Sequence, residues 1–336
     1  MPAYQLFVGV DIAATTATVS WQTATGQPSR ALTIAQTAQG YTSLQQRLLA
    51  TGCAAATILI VLEATGTYWV SLATTLAQAG FAVSVINPSQ AHAFAKALLK
   101  RAKTDAIDAQ TLAALGARLQ PAPWTPPPAI YAELQQRLAQ RDALVELRVQ
   151  VRNQRHALVQ QPVVIASVRD RMDTLIATLT DQIAEVEAEL APTLEQDTAW
   201  AAAATRLQTI TGVGLLTASW LLVTTLNFTL CATPAAASSY AGLAPHPRQS
   251  GSSVRGHRAI GHAGNARLRR ALYLATLSAA QHNPIIQAFY TRLRAAGKPP
   301  KVARCAAARK LLHIAWAVVT KERDFDPAYA AVVGAA

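Results

Sequence analysis

Two apolar runs that each end in an acidic residue place the strongest constraint on how this chain folds. Residues 5–12 read Gln-Leu-Phe-Val-Gly-Val-Asp-Ile, and residues 57–62 read Thr-Ile-Leu-Ile-Val-Leu and are followed at once by Glu63. Short runs of this kind, rich in β-branched residues, are typical of strands buried on both faces of a sheet. The chain is therefore expected to build a covered sheet, with Asp11 and Glu63 at the carboxyl ends of two strands.

Further strands and helices are predicted around these two strands. Strand patterns cover 17–22, 31–35 and 81–86, and helical patterns cover 40–50, 68–79 and the segment from Ser89, broken near 101–103. Three strands, a helix and then alternating strands and helices predict an α/β domain with a mixed sheet over residues 1–125. The Pro-rich segment 121–128 is expected to form its stiff boundary.

The remaining chain divides into two segments by pattern and charge. Residues 126–197 contain two long charged helical patterns, at 130–160 and 168–190, which predict a helical hairpin or coiled-coil arm. Residues 198–336 are predicted to be compact and mostly helical, and they carry 16 Lys or Arg against 3 Asp or Glu. We therefore expect three parts: an α/β domain, a helical arm and a basic C-terminal domain.

The C-terminal segment lacks acidic residues over most of its length. From Thr198 to Lys321 there are 15 Lys or Arg and no Asp or Glu, and the whole chain has a net charge of +12. A surface without carboxylates suits a polyanion, because Lys and Arg can neutralise nucleic-acid phosphates without competing repulsion. Drift of composition in an Ala-rich chain is the alternative explanation.

Membrane and secreted classes are not indicated. No apolar run reaches the roughly 18–20 residues that a membrane span needs, and the first residues lack the pattern of a signal peptide. Cys53, Cys231 and Cys305 lie far apart and fit neither a disulfide framework nor a zinc motif. We expect a cytoplasmic protein without a membrane partner.

Asp11, Glu63, Asp105 and Asp108 are the only acidic residues among the first 132 positions. Asp105 and Asp108 share one face of a predicted helix that Thr104 can cap. Four carboxylates brought together repel one another unless cations lie between them, and Mg²⁺ prefers oxygen ligands. The pattern therefore predicts a site for two Mg²⁺ ions, with Mn²⁺ as a substitute, that clamps a phosphodiester during displacement. The alternative, in which each acid is a lone surface group or helix cap, stays open.

The order Asp, Glu, Asp-x-x-Asp and its flanking segments resemble the RuvC-like, RNase H-fold DEDD transposases of bacterial insertion sequences. This family includes bridge-RNA-guided recombinases and the related Piv-type DNA invertases. The matching segments are Val8-Gly9-Val10-Asp11, Glu63-Ala64-Thr65-Gly66-Thr67-Tyr68, Val85-Ile86-Asn87-Pro88 and Lys103-Thr104-Asp105-Ala106-Ile107-Asp108-Ala109. The resemblance implies a RuvC-like catalytic domain at 1–125, a coiled-coil arm at 126–197 and a mostly α-helical transposase domain at 198–336.

The resemblance also implies a serine nucleophile. The segment Gln249-Ser250-Gly251-Ser252-Ser253-Val254-Arg255-Gly256 matches the family's motif, and Ser250 takes the place of the serine that forms a covalent bond to DNA. From chemistry alone, a Gly/Ser loop that only contacts phosphates through Ser250, Ser252 or Ser253 is an equal alternative. Because 198–321 holds no acid to orient a histidine, we expect the carboxylates and their metal, from this or another subunit, to activate Ser250.

Several residues around this serine are candidate nucleic-acid contacts. Arginine binds phosphate through its two-pronged guanidinium group, and glycine lets backbone N–H groups approach phosphate closely. The turn Thr211-Gly212-Val213-Gly214 is such a glycine element, although a packing turn explains it nearly as well. The candidates are Gly212, Gly214, Arg248, Ser252, Ser253, Arg255, Arg258, Arg267, Arg269 and Arg270.

These patterns together predict a transposase that cuts and exchanges DNA strands through a serine–DNA intermediate. The resemblance implies donor and target DNA duplexes and a structured bridge RNA as partners, a homodimer or tetramer as the assembly, and association with the bacterial nucleoid. Two alternatives remain. One is a RuvC-like Holliday-junction resolvase, a nuclease that uses water in place of serine. The other is a nucleic-acid-binding protein without catalysis.

Overall fold

A computed structural model describes residues 4–99, 104–245, 248–250, 254–256, 260 and 263–328. The chain forms two compact units, Met1–Pro126 and Pro127–Ala336. Among the described residues, strands that belong to the main sheet occur only in the first unit, and the second unit is mostly helical.

The first unit alternates strands and helices after an initial run of three strands. Its elements are β1 (Leu6–Ile12), β2 (Thr16–Gln22), β3 (Leu32–Ala35), α1 (Ala38–Leu49), β4 (Ile58–Glu63), α2 (Trp69–Gln78), β5 (Ala82–Ile86), α3 (Pro88–Ala97) and α4 (Asp105–Leu119). The observed bounds lie within two residues of the predicted strands, because the apolar runs are short and sharply bounded by polar residues.

The strands form one mixed sheet in the order β3-β2-β1-β4-β5. The first three strands pair antiparallel, whereas β1 with β4 and β4 with β5 pair parallel. The predicted mixed sheet is thus confirmed, and its arrangement fits an RNase H-like domain. Because β1 and β4 are parallel, their carboxyl ends reach the same edge of the sheet.

Apolar side chains cover both faces of the sheet. Leu6, Val8 and Val10 of β1 belong to one buried cluster together with side chains of α1 and α2. Phe7 belongs to a second buried cluster with side chains of β4, α3 and α4. Alternate residues of β1 therefore point into opposite cores, as expected for a strand buried on both faces.

Helix α4 lies unusually close to β1 at Gly9. A Cβ atom added at Gly9 would come within 2.0 Å of the carbonyl oxygen of Ala109 and 2.3 Å of the amide nitrogen of Ala113. At the other end of the same interface, Gly116 of α4 packs on Val61 of β4. The absence of side chains at these two glycines lets the helix backbone rest directly on the strands.

The second unit begins with a long helical hairpin and continues as a bundle of shorter helices. Its elements are α5 (Ala129–Leu158), α6 (Ala166–Ala188), α7 (Leu190–Leu194), α8 (Thr198–Gln208), α9 (Leu215–Thr225), α10 (Pro234–Tyr240), β6 (Arg248–Ser250), β7 (Val254–Gly256), α11 (Ala266–His282), α12 (Pro284–Ala295) and α13 (Pro300–Thr320). The strands β6 and β7 pair antiparallel. The predicted mostly helical remainder is confirmed.

The hairpin is joined to the bundle by a shared core. Arg137 and Arg141 of α5 form ion pairs with Glu189 and Glu187 at 2.9 and 2.8 Å. Leu134 and Leu138 of α5 are fully buried in one cluster with side chains of α8, α9, α11 and α13. None of the helices in the described ranges combines the length and the apolar character that crossing a membrane requires.

Candidate functional site

The candidate site is a cavity of about 820 Å³ in the first unit, at the strand edge where β1 and β4 end. All four acids singled out from the sequence line it. The lining includes Asp11, Glu63, Asp105 and Asp108, together with residues of α3 and of the strands β1 and β2. Four positions separated by up to 97 residues in the chain therefore meet at one cavity.

Sheet register places the first two acids side by side. The parallel pairing of β1 with β4 brings Val10 opposite Leu62, and Asp11 and Glu63 each follow directly. Asp11 lies on the same face of β1 as Gly9, because side chains alternate along a strand. This is the face on which α4 rests, and Glu63 lies on the matching face of β4 for the same reason.

Helix α4 supplies the other two acids from its first turn. Thr104 caps the helix by accepting a hydrogen bond from the Ile107 amide at 3.3 Å. Asp105 and Asp108 follow at a spacing of three residues and so share one face. Carboxylates in the first turn also interact favourably with the helix dipole, which is the role that the helix-cap alternative assigns to them.

The four acids are close enough to repel one another. Burial raises the pKa of the half-buried Asp11 from 3.8 to about 6, with further increases from the charges of Asp105, Asp108 and Glu63, in that order. Glu63 accepts a hydrogen bond from the Thr65 hydroxyl at 2.8 Å. The cavity therefore gathers four acidic groups, and no positively charged residue is among the causes of the Asp11 pKa shift.

The donor set fits a hard divalent cation by charge and by atom type. Carboxylate oxygens are the ligands that Mg²⁺ prefers, and a cation would counter the burial and the repulsion that together raise the Asp11 pKa. As placed, no three His, Cys, Asp or Glu side chains within the described ranges converge closely enough to ligate one ion. Coulomb repulsion acts over longer distances than ligation, so the four acids form an open cluster that would have to draw inward around a metal.

Two basic residues in the cavity escaped the sequence reasoning. His92 and Lys96 of α3 form part of its wall, together with the four acids. They follow Pro88 at successive intervals of four residues, so one face of α3 forms this wall. The sequence signal was this spacing after the segment Asn87-Pro88, in which Asn87 caps α3 through the Ser89 amide at 2.8 Å.

Comparison with known proteins identifies the family. A family model named for the DEDD transposases of IS110, and described as a transposase, matches residues 8–163. A second model, described as the IS116/IS110/IS902 transposase family, matches residues 204–291. The pilin gene-inverting protein of Moraxella bovis is 32% identical over 327 residues, which cover 95% of this chain and 97% of that protein. The chain belongs to the IS110 transposase family.

Other relatives agree with this membership. The pilin gene-inverting protein of Moraxella lacunata is 32% identical over 95% of this chain and 97% of that protein. An uncharacterised 43.6 kDa protein of the insertion element IS110 from Streptomyces coelicolor is 37% identical over 34% of this chain and 28% of its own length. Members of this family of transposases and recombinases act on DNA.

The serine segment of this transposase lies partly outside the described residues. Ser250 ends strand β6, and its backbone pairs with Val254 of β7. Arg248 and Arg255 belong to the same two strands. The predicted contacts Ser252, Ser253 and Arg258 lie outside the described residues. The nucleophile assignment of Ser250 stays a prediction.

The predicted phosphate-binding arginines of α11 have partners inside the second unit. Arg267 forms an ion pair with Asp142 at 2.9 Å and lies over the Trp220 ring at 5.1 Å. Arg269 donates to the carbonyl oxygens of Ala241 and Ala263 at 3.0 and 3.1 Å. Arg270 lies 3.8 Å from Glu146. These contacts favour a structural role for Arg269 above all, because its Nη1 atom already has two acceptors.

The two glycines of the turn before α9 differ in their surroundings. Gly212 has a φ of +98°, and a Cβ there would come within 2.7 Å of the Cβ atom of Ala279. Gly214 is exposed and precedes α9, and a Cβ there would meet nothing within 4 Å. The packing explanation therefore accounts for Gly212, whereas only Gly214 offers open backbone to a phosphate.

Proposed function

We propose that this transposase cuts and rejoins DNA strands at a divalent metal site held by Asp11, Glu63, Asp105 and Asp108, with Ser250 as the nucleophile. The observation that carries the proposal is the single cavity lined by all four carboxylates. Family membership supports action on DNA, and the resemblance of the segment 249–256 supports the serine. Mg²⁺ is the metal that fits these ligands, and Mn²⁺ would replace it.

The chemistry follows from the groups in the cavity. Bound metal would stabilise negative charge on the phosphate oxygens during displacement. The carboxylates would hold the ions, while Lys96 and His92, which also line the cavity, would contact a phosphate oxygen and orient the strand. The cavity wall thus offers carboxylates that would bind metal ions and a lysine that would bind the phosphodiester.

The serine step conserves the phosphodiester. The Ser250 Oγ bonds to phosphorus as the bond from phosphorus to one deoxyribose oxygen breaks, and the hydroxyl proton passes to a base while the departing oxygen gains a proton. A hydroxyl of another strand then attacks the same phosphorus, and serine departs with its proton restored. No external energy source is consumed, because one phosphate ester replaces another at each step.

Rejoining of this kind agrees with the names of the two pilin gene-inverting relatives. A protein that inverts a gene must reconnect every end that it cuts, and a covalent serine ester keeps each end ready for rejoining. We extend this to the present chain, with donor and target duplexes as substrates. A structured bridge RNA as guide, and a homodimer or tetramer as the active form, complete the proposal on the strength of the family resemblance.

A denaturing gel for DNA strands linked to protein tests the proposal. The purified protein is incubated with DNA carrying the ends of its own element, with the RNA that co-purifies, and with or without Mg²⁺. We expect a protein–DNA adduct only with Mg²⁺. Glu63→Gln is expected to lower strand cleavage by about 10²–10⁴-fold, because it removes a ligand charge and leaves the size of the side chain unchanged.

Matched serine variants distinguish a nucleophile at Ser250 from a serine that only contacts phosphate. Ser250→Ala is expected to abolish the adduct, whereas Ser252→Ala and Ser253→Ala retain it. Cleavage by Ser250→Ala without an adduct would instead support a resolvase that uses water. If strand cleavage is unchanged by Glu63→Gln and by the omission of Mg²⁺, the proposed metal site has no role in the reaction.

A further inference from the structure

The described cations of the helices α11, α12 and α13 differ in their partners. Every Asp and Glu of the chain lies within the described residues, so their ion pairs with the described Lys and Arg side chains can be assessed. Arg267 and Arg270 of α11 have carboxylates within 4.0 Å. In the same described part of the chain, no carboxylate lies within that distance of Arg292 on α12 or Lys310 on α13.

Arg292 and Lys310 share one aromatic ring. The Arg292 guanidinium carbon lies 5.3 Å from the centre of the Phe289 ring, and the Lys310 Nζ atom lies 5.7 Å from it. All three side chains line an open cavity of about 410 Å³, whose other walls are mostly apolar and include Pro284 and Pro327. The cavity therefore combines a π surface, two positive charges and rigid apolar walls.

We infer that this cavity, the Phe289 pocket, binds one unpaired nucleotide of single-stranded DNA. Arg292 and Lys310 would neutralise its phosphate, and the base would stack on the surface formed by the Phe289 ring and the Arg292 guanidinium. Aromatic rings beside Lys or Arg are the usual elements of single-strand sites, because every base offers a π face. A duplex would use the cations and leave the ring unused, since its bases are stacked on one another.

Unpaired DNA is the occupant that the proposed function supplies. Exchange of strands between two duplexes requires bases to separate from one partner before they pair with another. The pocket would hold such a separated strand, and this part of the inference rests on the proposed function. Binding itself needs neither metal nor cleavage, so it can be measured independently of the carboxylate site.

Fluorescence anisotropy with the full-length protein and no divalent metal tests the inference. The probes are an oligo(dT) strand of about 12 nucleotides, an oligo(U) strand and a DNA duplex of the same length. Lys310→Gln and Arg292→Gln are each expected to weaken oligo(dT) binding by about 5- to 10-fold and to lower the slope of log K against log salt by about 0.7. Lys301→Gln, on the same helix α13 and outside the pocket, is the control with the same change of charge and is expected to change affinity by less than about two-fold.

Phe289→Leu tests the ring itself and keeps most of the apolar contact with the core. It is expected to weaken oligo(dT) binding by about 5-fold or more while duplex affinity stays unchanged. Equal losses for Lys301→Gln and Lys310→Gln would overturn the inference in favour of diffuse charge. Losses confined to an oligo(U) strand would overturn the assignment to DNA. If Phe289→Leu unfolds at a lower temperature than the wild type, the comparison of Lys310→Gln with Lys301→Gln still tests the inference.

Discussion

The two compact units use charge in opposite ways. In the first unit, four acidic residues far apart in sequence line a single cavity, and burial together with the charges of the other three acids raises the pKa of Asp11 to about 6. In the second unit, cations are spread over several helices, and those of α11 are paired with carboxylates or carbonyl oxygens of the same unit. The first unit keeps like charges together at a strand edge, whereas the second distributes opposite charges across helix contacts.

The difference shows how topology fixes some side chains and leaves others free. The carboxyl ends of parallel neighbouring strands must lie together, so Asp11 and Glu63 are adjacent as soon as β1 and β4 pair. A residue on a helix surface can contact whichever neighbour packs beside it. The partner of Arg267, for example, is 125 residues away on α5.

The largest effect on stability is expected from Gly9→Ala, which disturbs the contact between β1 and α4 beside the acidic cavity. The added methyl would overlap the backbone of α4, with 2.0 Å to the Ala109 carbonyl oxygen. Backbone cannot move aside as a side chain does, so we expect a loss of about 3 kcal/mol or more in the free energy of unfolding. Urea denaturation of the purified variant measures this loss.

Gly116→Ala is the matched control in the same interface. Its added methyl would come within 3.0 Å of a methyl group of Val61, which can rotate or shift. Replacing glycine within a helix gains about 0.5–1 kcal/mol, so we expect a small net change. Similar losses for the two variants would show that the close approach of α4 at Gly9 is not what fixes the cavity.

Much of the first unit was predictable from sequence because short apolar runs and strand ends are local signals. The runs at 5–12 and 57–62 gave the two central strands, and the spacing of Asp105 and Asp108 together with the Thr104 cap gave the start of α4. The presence of His92 and Lys96 in the cavity wall was missed, because only the packing of α3 shows which of its faces borders the cavity.

The second unit was less predictable for the same physical reason. The absence of acids from 198 to 321 suggested free arginines, but the acids that pair with Arg267 and Arg270 come from helix α5, before that segment. Helices α10 and α12 were not predicted as separate elements, and the Phe289 pocket depends on α12. Charge counts along a chain cannot show which helices will pack together.

An intermediate effect is expected from Arg267→Gln, which tests whether the cations of α11 serve the fold. The variant loses the ion pair with Asp142 and the contact over Trp220, so we expect a loss of about 1–2 kcal/mol in unfolding free energy. Affinity for duplex DNA in anisotropy should change little. A variant that keeps its stability and loses DNA affinity would instead place Arg267 among the phosphate contacts and remove the contrast between α11 and the Phe289 pocket.

The smallest effect is expected from Asp11→Asn, measured as unfolding free energy against pH without divalent metal. Because the folded-state pKa of Asp11 is raised from 3.8 to about 6, ionisation of this group disfavours folding. The stability that it contributes is fully present below about pH 4 and is lost as pH rises through about 6. Asparagine does not ionise, so the variant should match the wild type near pH 4 and exceed it at neutral pH by about 1 kcal/mol, a value reduced for solvent screening of a half-exposed group.

Asp105→Asn provides the internal control for this pH dependence. Among the three charges that raise the Asp11 pKa, that of Asp105 contributes most. Its removal should therefore lower that pKa and give part of the same increase in unfolding free energy at neutral pH. The gain in both variants should vanish when Mg²⁺ is added, because the wild type then gains the ion that its four carboxylates attract. A wild-type stability that rises between pH 4 and 7 relative to Asp11→Asn would mean that a cation of the protein already compensates Asp11, and the acidic cavity would lose the property that sets it apart from the helices of the second unit.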